Sequence, residues 1–279
     1  MLLQPVGKYL SVNGLRLHYL DWGTEGKQAM LLLHGFTTLA HAWDFFAPAF
    51  CHCYHVVALD QRGHGDSQWA RDANYTTDDH LVDIAGFVDA LRLKNIALVG
   101  HSMGGRNAIV YAACFPEKVA RLILIDSRPD NDPVASEALG QLLTAIPDEI
   151  SSVDELAPEL ARLYPYLSPQ MCFHLAYHGL RQLGNGKFTP KYDLRMRAQS
   201  ARVSYGVSEL WLFFKLIACP ILIVRGAESQ ILSREAAWKM CQANSNASLV
   251  EIERASHMVP QENPAAFEEA VRKFLESEG

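Results

Sequence analysis

Gly100-His101-Ser102-Met103-Gly104 decides the fold, because it joins an apolar run at residues 96–99 to a segment of helical periodicity at residues 107–115. A G-x-S-x-G sequence between a strand and a helix raises the serine on a sharp turn, where side chains in place of the two glycines would collide with neighbouring elements. The turn also lies at the N-terminus of the helix, whose partial positive charge favours a developing oxyanion. The stretch therefore predicts that Ser102 is a nucleophile.

Short apolar runs alternate with helix-length segments on both sides of this turn, which is typical of a mostly parallel sheet covered by helices. The dipeptide Asn13-Gly14 predicts a hairpin that joins strands at residues 8–12 and 15–22. Further strands are predicted at residues 29–33, 54–59, 96–99, 121–125, 220–224 and 248–252. The predicted fold class is α/β, with a mostly parallel eight-stranded sheet flanked by helices.

The alternation of strands and helices stops after the sixth predicted strand. From residue 128 to about residue 207 we find no strand-like run. Helix-like stretches follow one another instead, at residues 134–146, 151–164 and 168–180. We predict that residues 128–207 form a helical cap, or lid, inserted into a core that consists of residues 1–127 and 208–279.

Composition and charge exclude several classes of function. The net charge is −6 and no long run of Lys or Arg occurs, so we expect no nucleic-acid partner. No apolar run has the length of a membrane span, and the first residues lack the parts of a signal peptide, so we expect no stable membrane anchor. The six cysteines have no framework-like spacing, which favours reduced thiols and a cytoplasmic location.

The segment Cys51-His52-Cys53-Tyr54-His55 contains residue types that ligate metals. Its C-x-C spacing is tighter than the usual zinc spacing, and no second cysteine pair follows nearby. We therefore predict a loop that leads into a strand, and no metal ligand in this chain.

A serine hydroxyl needs a base, and His257 is the candidate among eleven histidines. His257 follows the last predicted strand and stands just before the final helix, which begins near Asn263-Pro264. In nucleophile-elbow proteins the order along the chain is serine, acid, histidine, and His257 fits that order.

The loop after the strand at residues 29–33 reads His34-Gly35-Phe36. In this architecture that loop supplies one oxyanion-hole N–H, and the residue after the nucleophile supplies the other. We predict that the backbone N–H groups of Phe36 and Met103 form the oxyanion hole. We expect His34 to organise the loop rather than to carry a proton.

Four motifs in their proper order resemble the α/β-hydrolase superfamily, and within it small bacterial carboxylesterases and lactonases with a helical cap. The motifs are Leu33-His34-Gly35-Phe36, Leu59-Asp60-Gln61-Arg62-Gly63-His64-Gly65-Asp66-Ser67, Gly100-His101-Ser102-Met103-Gly104-Gly105 and His257-Met258-Val259-Pro260-Gln261-Glu262-Asn263-Pro264. The resemblance covers both core segments and becomes weak in the cap. It implies a structural role for the second motif and no metal or organic cofactor.

The acid that orients His257 has two candidates. Many relatives carry an aspartate after the penultimate strand, but here Arg225-Gly226-Ala227-Glu228-Ser229-Gln230 has serine or glutamine at that position. Asp126 directly follows the strand at residues 121–125, a position that some family members use. Glu228 lies one residue before the usual position. We favour Asp126, because a displaced glutamate must recover the required placement through its longer side chain.

The sequence predicts a serine hydrolase that cleaves carboxylic esters, lactones or thioesters through an acyl-enzyme. Relatives that open epoxides or remove halides use aspartate at the elbow, whereas this chain has Ser102. Hydrolysis of a C–C bond in vinylogous diketones is an alternative, because those enzymes share the core and the triad. A ligand receptor with residual turnover is a second alternative. The partner is expected to be a small ester-type molecule, and the oligomeric state stays open.

The substrate pocket should lie between the ends of the strands and the cap. Several apolar or polar side chains are candidates for its lining. They are His34, Phe36, Trp43, Phe45, Arg106, Leu142, Leu143, Met171, Tyr177 and Trp211.

Overall fold

The computed structural model describes residues 4–130, 133–199 and 205–277, and a central sheet runs through it. In chain order the strands are β1 (Val6–Val12), β2 (Leu15–Asp21), β3 (Gln28–Leu33), β4 (Tyr54–Leu59), β5 (Ile96–His101), β6 (Val119–Ile125), β7 (Leu180–Gln182), β8 (Phe188–Pro190), β9 (Ile221–Gly226) and β10 (Ala247–Ile252). All except β7 and β8 belong to one eight-stranded sheet. Because each of the eight lies where the apolar runs predicted a strand, the predicted fold class is confirmed.

The strands of the central sheet follow the order β1-β2-β4-β3-β5-β6-β9-β10. β2 pairs antiparallel with β1 and with β4, and all other neighbours are parallel. The β1–β2 turn is Asn13-Gly14, with φ of 51° and 79°, as this dipeptide predicts. The loops after β3, β5, β6, β9 and β10 therefore leave the same side of the sheet, which we call the carboxyl edge.

Helices cover both faces of the sheet. They are α1 (Thr77–Ala90), α2 (Met103–Cys114), α3 (Pro133–Ala145), α4 (Val153–Leu163), α5 (Pro169–Gly179), α6 (Arg195–Gln199), α7 (Val207–Leu216), α8 (Arg234–Ala243), α9 (Val259–Glu262) and α10 (Pro264–Glu276). On one face Phe87 of α1, Phe214 of α7 and Met240 of α8 are buried in a single apolar cluster with the strands. On the other face Phe267 of α10 packs with Trp43, which lies in a short 3-10 turn. Burial of these two apolar layers is the main stabilising contribution to the core.

Residues 133–199 lie between β6 and α7 and are called the insert below. They contain α3 to α6 and the small antiparallel pair β7–β8. Leu156 and Leu160 of α4 pack with Met171 of α5 in an apolar cluster that also includes Ala42 and Met258 of the core. The insert therefore rests on the carboxyl edge of the sheet.

The β7–β8 pair corrects the sequence analysis, which found no strand in this region. Each strand is three residues long, too short for a period-two pattern, and the pair is joined by a turn that contains Gly184-Asn185-Gly186. The predicted cap, residues 128–207, includes residues 131, 132 and 200–204, which lie outside the described residues. Its last residue, Val207, begins α7, which packs on the core.

Two further observations concern the class of protein. No helix within the described ranges is long and apolar enough to cross a membrane. All six cysteines fall in those ranges, and none is paired.

Candidate active site

Ser102 stands on the sharp turn between β5 and α2. Its backbone has φ of 52° and ψ of −115°, a conformation that costs a residue with a side chain about 1–3 kcal/mol. The sheet holds the turn in place, since the Ser102 N–H donates to the Ile125 carbonyl at 2.9 Å. The Ser102 carbonyl accepts the Arg106 N–H at 3.1 Å and so begins α2. The hydroxyl is thereby raised above the carboxyl edge.

The glycines on either side of Ser102 are required by close backbone approaches. A Cβ at Gly100 would lie 2.5 Å from the Gly104 carbonyl oxygen. A Cβ at Gly104 would lie 2.4 Å from the Leu33 carbonyl oxygen and 2.6 Å from that of His34. These neighbours are backbone atoms and cannot move aside, so the turn tolerates only glycine at both positions.

His257 lies beside Ser102, with its Nε2 atom 3.1 Å from the Ser102 Oγ atom. It belongs to the loop between β10 and α9, which the sequence analysis selected. His101 fixes this loop, because its Nε2–H donates to the His257 carbonyl oxygen at 2.8 Å. Burial lowers the pKa of His101 to about 3, so His101 is neutral and acts here as a structural donor.

Asp126 completes the arrangement. The His257 Nδ1–H donates to the Asp126 Oδ2 atom at 2.7 Å, and the Asp126 side chain is 0% exposed. The Asp126 N–H donates to the Val224 carbonyl at 2.8 Å, which ties the end of β6 to β9. The structure thus brings together serine, imidazole and carboxylate from three different strand ends.

Ser229 is a residue that the sequence analysis missed. Its Oγ atom accepts the N–H groups of Ile231 and Leu232 at 3.1 and 3.0 Å, so its own proton is donated to Asp126 Oδ2 at 2.6 Å. Ser229 occupies the stretch where an aspartate was expected, and that mismatch was the available signal. It holds the carboxylate oxygen that faces His257.

Glu228, the alternative acid, lies elsewhere. It is exposed, and its Oε1 atom accepts a hydrogen bond from the Tyr166 hydroxyl of the insert. Its N–H donates to the Ala255 carbonyl at 3.0 Å, so the main chain directs the side chain away from Asp126. The structure therefore brings Asp126, and not Glu228, to His257.

The loop after β3 is held by a chain of buried polar groups. The Gln61 N–H donates to His34 Nε2 at 3.0 Å, so the ring proton lies on Nδ1, which donates to the Gly35 carbonyl at 2.8 Å. The Gln61 side chain donates to the His34 carbonyl at 2.7 Å and accepts from Asn107 of α2 at 2.8 Å. Burial lowers the pKa of His34, which keeps the ring neutral. His34 organises the loop, as the sequence analysis expected.

The second motif has the structural contacts that the resemblance implied. Asp60 accepts the Ala40 N–H at 2.6 Å and the His18 Nδ1–H at 2.7 Å. Arg62 donates to both oxygens of Asp83 at 2.7 and 2.9 Å. These buried bonds join the loop to β2 and α1 and support the carboxyl edge from behind.

Phe36 and Met103 are the predicted oxyanion-hole residues; Phe36 lies in the loop after β3, and Met103 directly follows Ser102. Met103 is the first residue of α2, so its N–H has no acceptor within the helix. The Phe36 carbonyl accepts the Thr38 N–H at 2.6 Å in a tight turn. The Phe36 ring packs edge-on against His64 and at a tilt against Tyr192 of the insert, with centroids 5.6 and 5.8 Å away.

A small cavity of about 40 Å³ lies between the insert and the core. Thr37, which follows Phe36, and Met258, which follows His257, belong to its walls. None of the wall residues carries a charge. They are Thr37, Thr38, Leu39, Leu142, Ile146, Leu156, Leu160, Tyr164, Leu175, Gly179, Leu180, Pro190, Tyr192 and Met258.

Of the predicted pocket residues, Leu142 lies in the wall of this cavity, and the side chain of Leu143 lies outside the described part of the structure. The other predicted residues are not among the wall residues. Trp43 is buried in the core with 1% exposure, and Tyr177 is 60% exposed on the outer side of α5, so both predictions are wrong. Trp211 is also wrong, because it packs on the sheet cluster and donates to Asp130 at 3.1 Å. Met171 lies inside the apolar cluster of the insert.

His34 and Arg106 are occupied in other ways. His34 holds its loop through Gln61, as described above. Arg106 lies one helical turn after Ser102 in α2, near Asp130 and Arg128, and burial lowers its pKa. Neither side chain belongs to the cavity wall.

Comparisons with known proteins identify a family model, related sequences and a similar fold. A family model described as the alpha/beta hydrolase fold matches residues 28–264. The chain is 28% identical over 249 residues to 2-(acetamidomethylene)succinate hydrolase of Mesorhizobium japonicum, which covers 89% of this chain and 88% of that protein. It is 26% identical over 279 residues to an esterase of Mycobacterium tuberculosis, which covers 98% and 91%. A crystal structure of E-2-(acetamidomethylene)succinate hydrolase superposes with a TM-score of 0.89 at 26% identity and covers 98% of this chain and 100% of that one.

Proposed function

Since the chain belongs to the alpha/beta hydrolase fold family, we propose that it is a serine hydrolase that cleaves a carboxylic ester through an acyl-enzyme on Ser102. The observation that carries this proposal is the unbroken row Ser102 Oγ, His257 and Asp126, with distances of 3.1 and 2.7 Å between the bonded atoms. Such a row supplies a nucleophile, a base and a group that orients the base.

The first half of the reaction is attack by Ser102. His257 Nε2 takes the proton from Ser102 Oγ while the oxygen bonds to the substrate carbonyl carbon. The Asp126 carboxylate keeps the other ring proton on Nδ1 and stabilises the imidazolium that forms. Ser229 prevents Asp126 from turning, because its hydroxyl donates to the same oxygen that faces His257.

The negative charge that develops on the carbonyl oxygen needs donors. We assign these to the N–H groups of Phe36 and Met103, the second of which lies at the N-terminus of α2. Each donor of this kind typically contributes about 10²–10³ to the rate.

The second half of the reaction regenerates the enzyme. The His257 imidazolium gives its proton to the departing alcohol, and the C–O bond to that alcohol breaks. His257 then removes a proton from water, and the water oxygen attacks the acyl carbon that is bonded to Ser102 Oγ. Collapse of that intermediate releases the carboxylic acid and returns the proton to Ser102 Oγ.

The cavity walls favour a neutral, apolar acyl group. Leu142, Leu156, Leu160 and Leu175 dominate its lining, and no charged side chain is among the wall residues. A relative is named for a succinate derivative, which carries two carboxylates. The uncharged walls support a different substrate class for this chain.

We propose that the insert acts as a cap that moves to admit the substrate. A cavity of about 40 Å³ is much smaller than ligand pockets, which typically have about 300–1,000 Å³. The helices α4 and α5 rest on the core through apolar contacts with Ala42 and Met258, whereas the main chain of residues 191–193 is hydrogen-bonded to Gly63 and Gly65. We therefore expect the two helices to tilt away from the carboxyl edge about this attachment.

The test is labelling with a fluorophosphonate probe, followed by mapping of the modified residue and a panel of p-nitrophenyl esters. We expect one modified residue, Ser102, and turnover of butyrate and hexanoate esters above that of a hemisuccinate ester. Ser102→Ala should lower kcat by about 10⁴-fold or more while the thermal unfolding temperature changes little. Labelling of another residue, or full activity in the variant, would contradict the assignment.

The same panel separates the alternatives. A C–C bond hydrolase would cleave vinylogous diketones faster than any ester. A ligand receptor would be labelled at Ser102 but would stop after a single turnover.

A further inference from the structure

Two histidines of α5 face two polar residues of the core at the insert boundary. His174 and His178 are four residues apart in α5, so they lie on the same side of the helix. His41 and Asp44 lie in and just after the 3-10 turn that follows β3. We call these four residues the boundary cluster.

The donor atoms of the boundary cluster lie close together. His41 Nδ1 is 2.8 Å from Asp44 Oδ2, and the rings of His41 and His178 stack with centroids 3.8 Å apart. One potential ligand atom from each of His41, Asp44 and His178 lies within 4.8 Å of the others. Zinc–ligand bonds of about 2 Å keep the ligand atoms of one ion within about 4 Å of one another, a spacing that these three atoms approach.

Asp44 has an unused acceptor at this place. Its side chain is 17% exposed, but its Oδ1 atom is buried and has no hydrogen-bond partner among the described residues. A buried carboxylate oxygen without a partner is costly, and a bound cation removes that cost. His174 supports the arrangement from the side, since its Nε2 lies 3.4 Å from Asp44 Oδ2 and donates to the His41 carbonyl at 2.9 Å.

We propose that His41, Asp44 and His178 form a binding site for a divalent transition metal of the zinc type. Two imidazole nitrogens and one carboxylate oxygen are a donor set suited to zinc and cobalt and not to magnesium or calcium, which prefer oxygen ligands alone. Two ligands come from the core and one comes from the insert. A metal in this site therefore joins α5 to the 3-10 turn that follows β3, independently of the proposed chemistry at Ser102.

The sequence analysis predicted no metal ligand, and the reason for the difference is topological. His178 is far from His41 and Asp44 along the chain, so no local spacing marks the site. Only packing of α5 against the 3-10 turn brings the donors together.

The experiment is a titration of the metal-free protein with Co²⁺, followed by its visible absorption, and a thermal unfolding series with Zn²⁺. We expect one tightly bound Co²⁺ per chain. Zn²⁺ at about 100 times its dissociation constant should raise the unfolding temperature by roughly 5 °C. His178→Ala and Asp44→Asn should each weaken Co²⁺ binding by at least about tenfold.

His52→Ala is the matched control, because His52 is an exposed histidine outside the boundary cluster. It should bind Co²⁺ as the unaltered protein does. Unchanged Co²⁺ affinity in both His178→Ala and Asp44→Asn would overturn the proposal. So would absorption bands of cobalt–thiolate bonds, which would assign the metal to exposed Cys53 or Cys114.

Discussion

The carboxyl edge and the insert are built by different kinds of contact. At the edge, Ser102, Asp126 and His257 are fixed by backbone hydrogen bonds between neighbouring strand ends and by buried donors such as Ser229. The helices α4 and α5 of the insert rest on that edge mainly through apolar side chains. The last part of the insert is tied to the loop after β4 by main-chain hydrogen bonds of residues 191 and 193. The comparison teaches that the main chain positions the reacting groups, whereas packing of side chains shapes the space for the substrate.

The largest predicted effect is on kcat, and it distinguishes the two candidate acids. Asp126 lies at the carboxyl edge, and Glu228 faces the insert. Asp126→Asn should lower kcat by about 10²–10⁴-fold, because an amide fails to hold the correct His257 tautomer. Glu228→Gln should stay within about threefold of the unaltered protein, since exposed side chains away from buried groups have small effects. Steady-state kinetics on p-nitrophenyl butyrate measures both. A large loss of kcat in Glu228→Gln together with an unchanged kcat in Asp126→Asn would show that Glu228 is the acid.

A smaller effect is expected on the free energy of unfolding when one helical glycine of each region is replaced by alanine. Gly104→Ala should lower the free energy of unfolding by about 3 kcal/mol or more, because its Cβ would lie 2.4 Å from the Leu33 carbonyl oxygen. Gly140→Ala in α3 should raise it by about 0.5–1 kcal/mol, since no atom lies within 4 Å of the added Cβ and alanine favours a helix. Urea unfolding followed by circular dichroism measures both changes. Equal changes in the free energy of unfolding would mean that the two regions are packed equally closely around these glycines.

The smallest effect concerns selectivity. Leu142→Ala should enlarge the cavity and raise the ratio of kcat/KM for a hexanoate ester over an acetate ester by about tenfold, with kcat for acetate nearly unchanged. Leu212→Ala is the control, because Leu212 is 56% exposed on α7 and is not a wall residue. A ratio that stays constant in Leu142→Ala would show that the acyl group binds elsewhere.

The fold and the arrangement at the carboxyl edge could be predicted because short local patterns mark each strand and the residues at its end. Apolar runs mark the strands, and the residues at their ends meet at one edge once the strands are parallel. Ser102 and Asp126 directly follow such runs, and His257 follows β10 by a short loop. Position along the chain was therefore enough to bring the three side chains together.

Most of the cavity lining could not be predicted in the same way, although Leu142 was among the candidates. Trp43 and Leu160 are both apolar residues in helical turns, yet one is buried in the core and the other lines the cavity. Periodicity identifies a buried side but not the element that covers it. Ser229 was not predicted either, because a neutral serine outside a motif carries no sequence signal. The boundary cluster was not predicted because its residues are distant in sequence.

The hydrogen bond of Ser229 to Asp126 has a consequence for how such proteins diverge. The two side chains end adjacent strands, β6 and β9, and their oxygens are 2.6 Å apart. Exchanging the two residue types would move the negative charge to the next strand by about the length of one hydrogen bond, while His257 stays where it is. An intermediate with aspartate at both positions would keep a carboxylate near the ring throughout, so the acid of such a site could move from one strand to the next in two single substitutions.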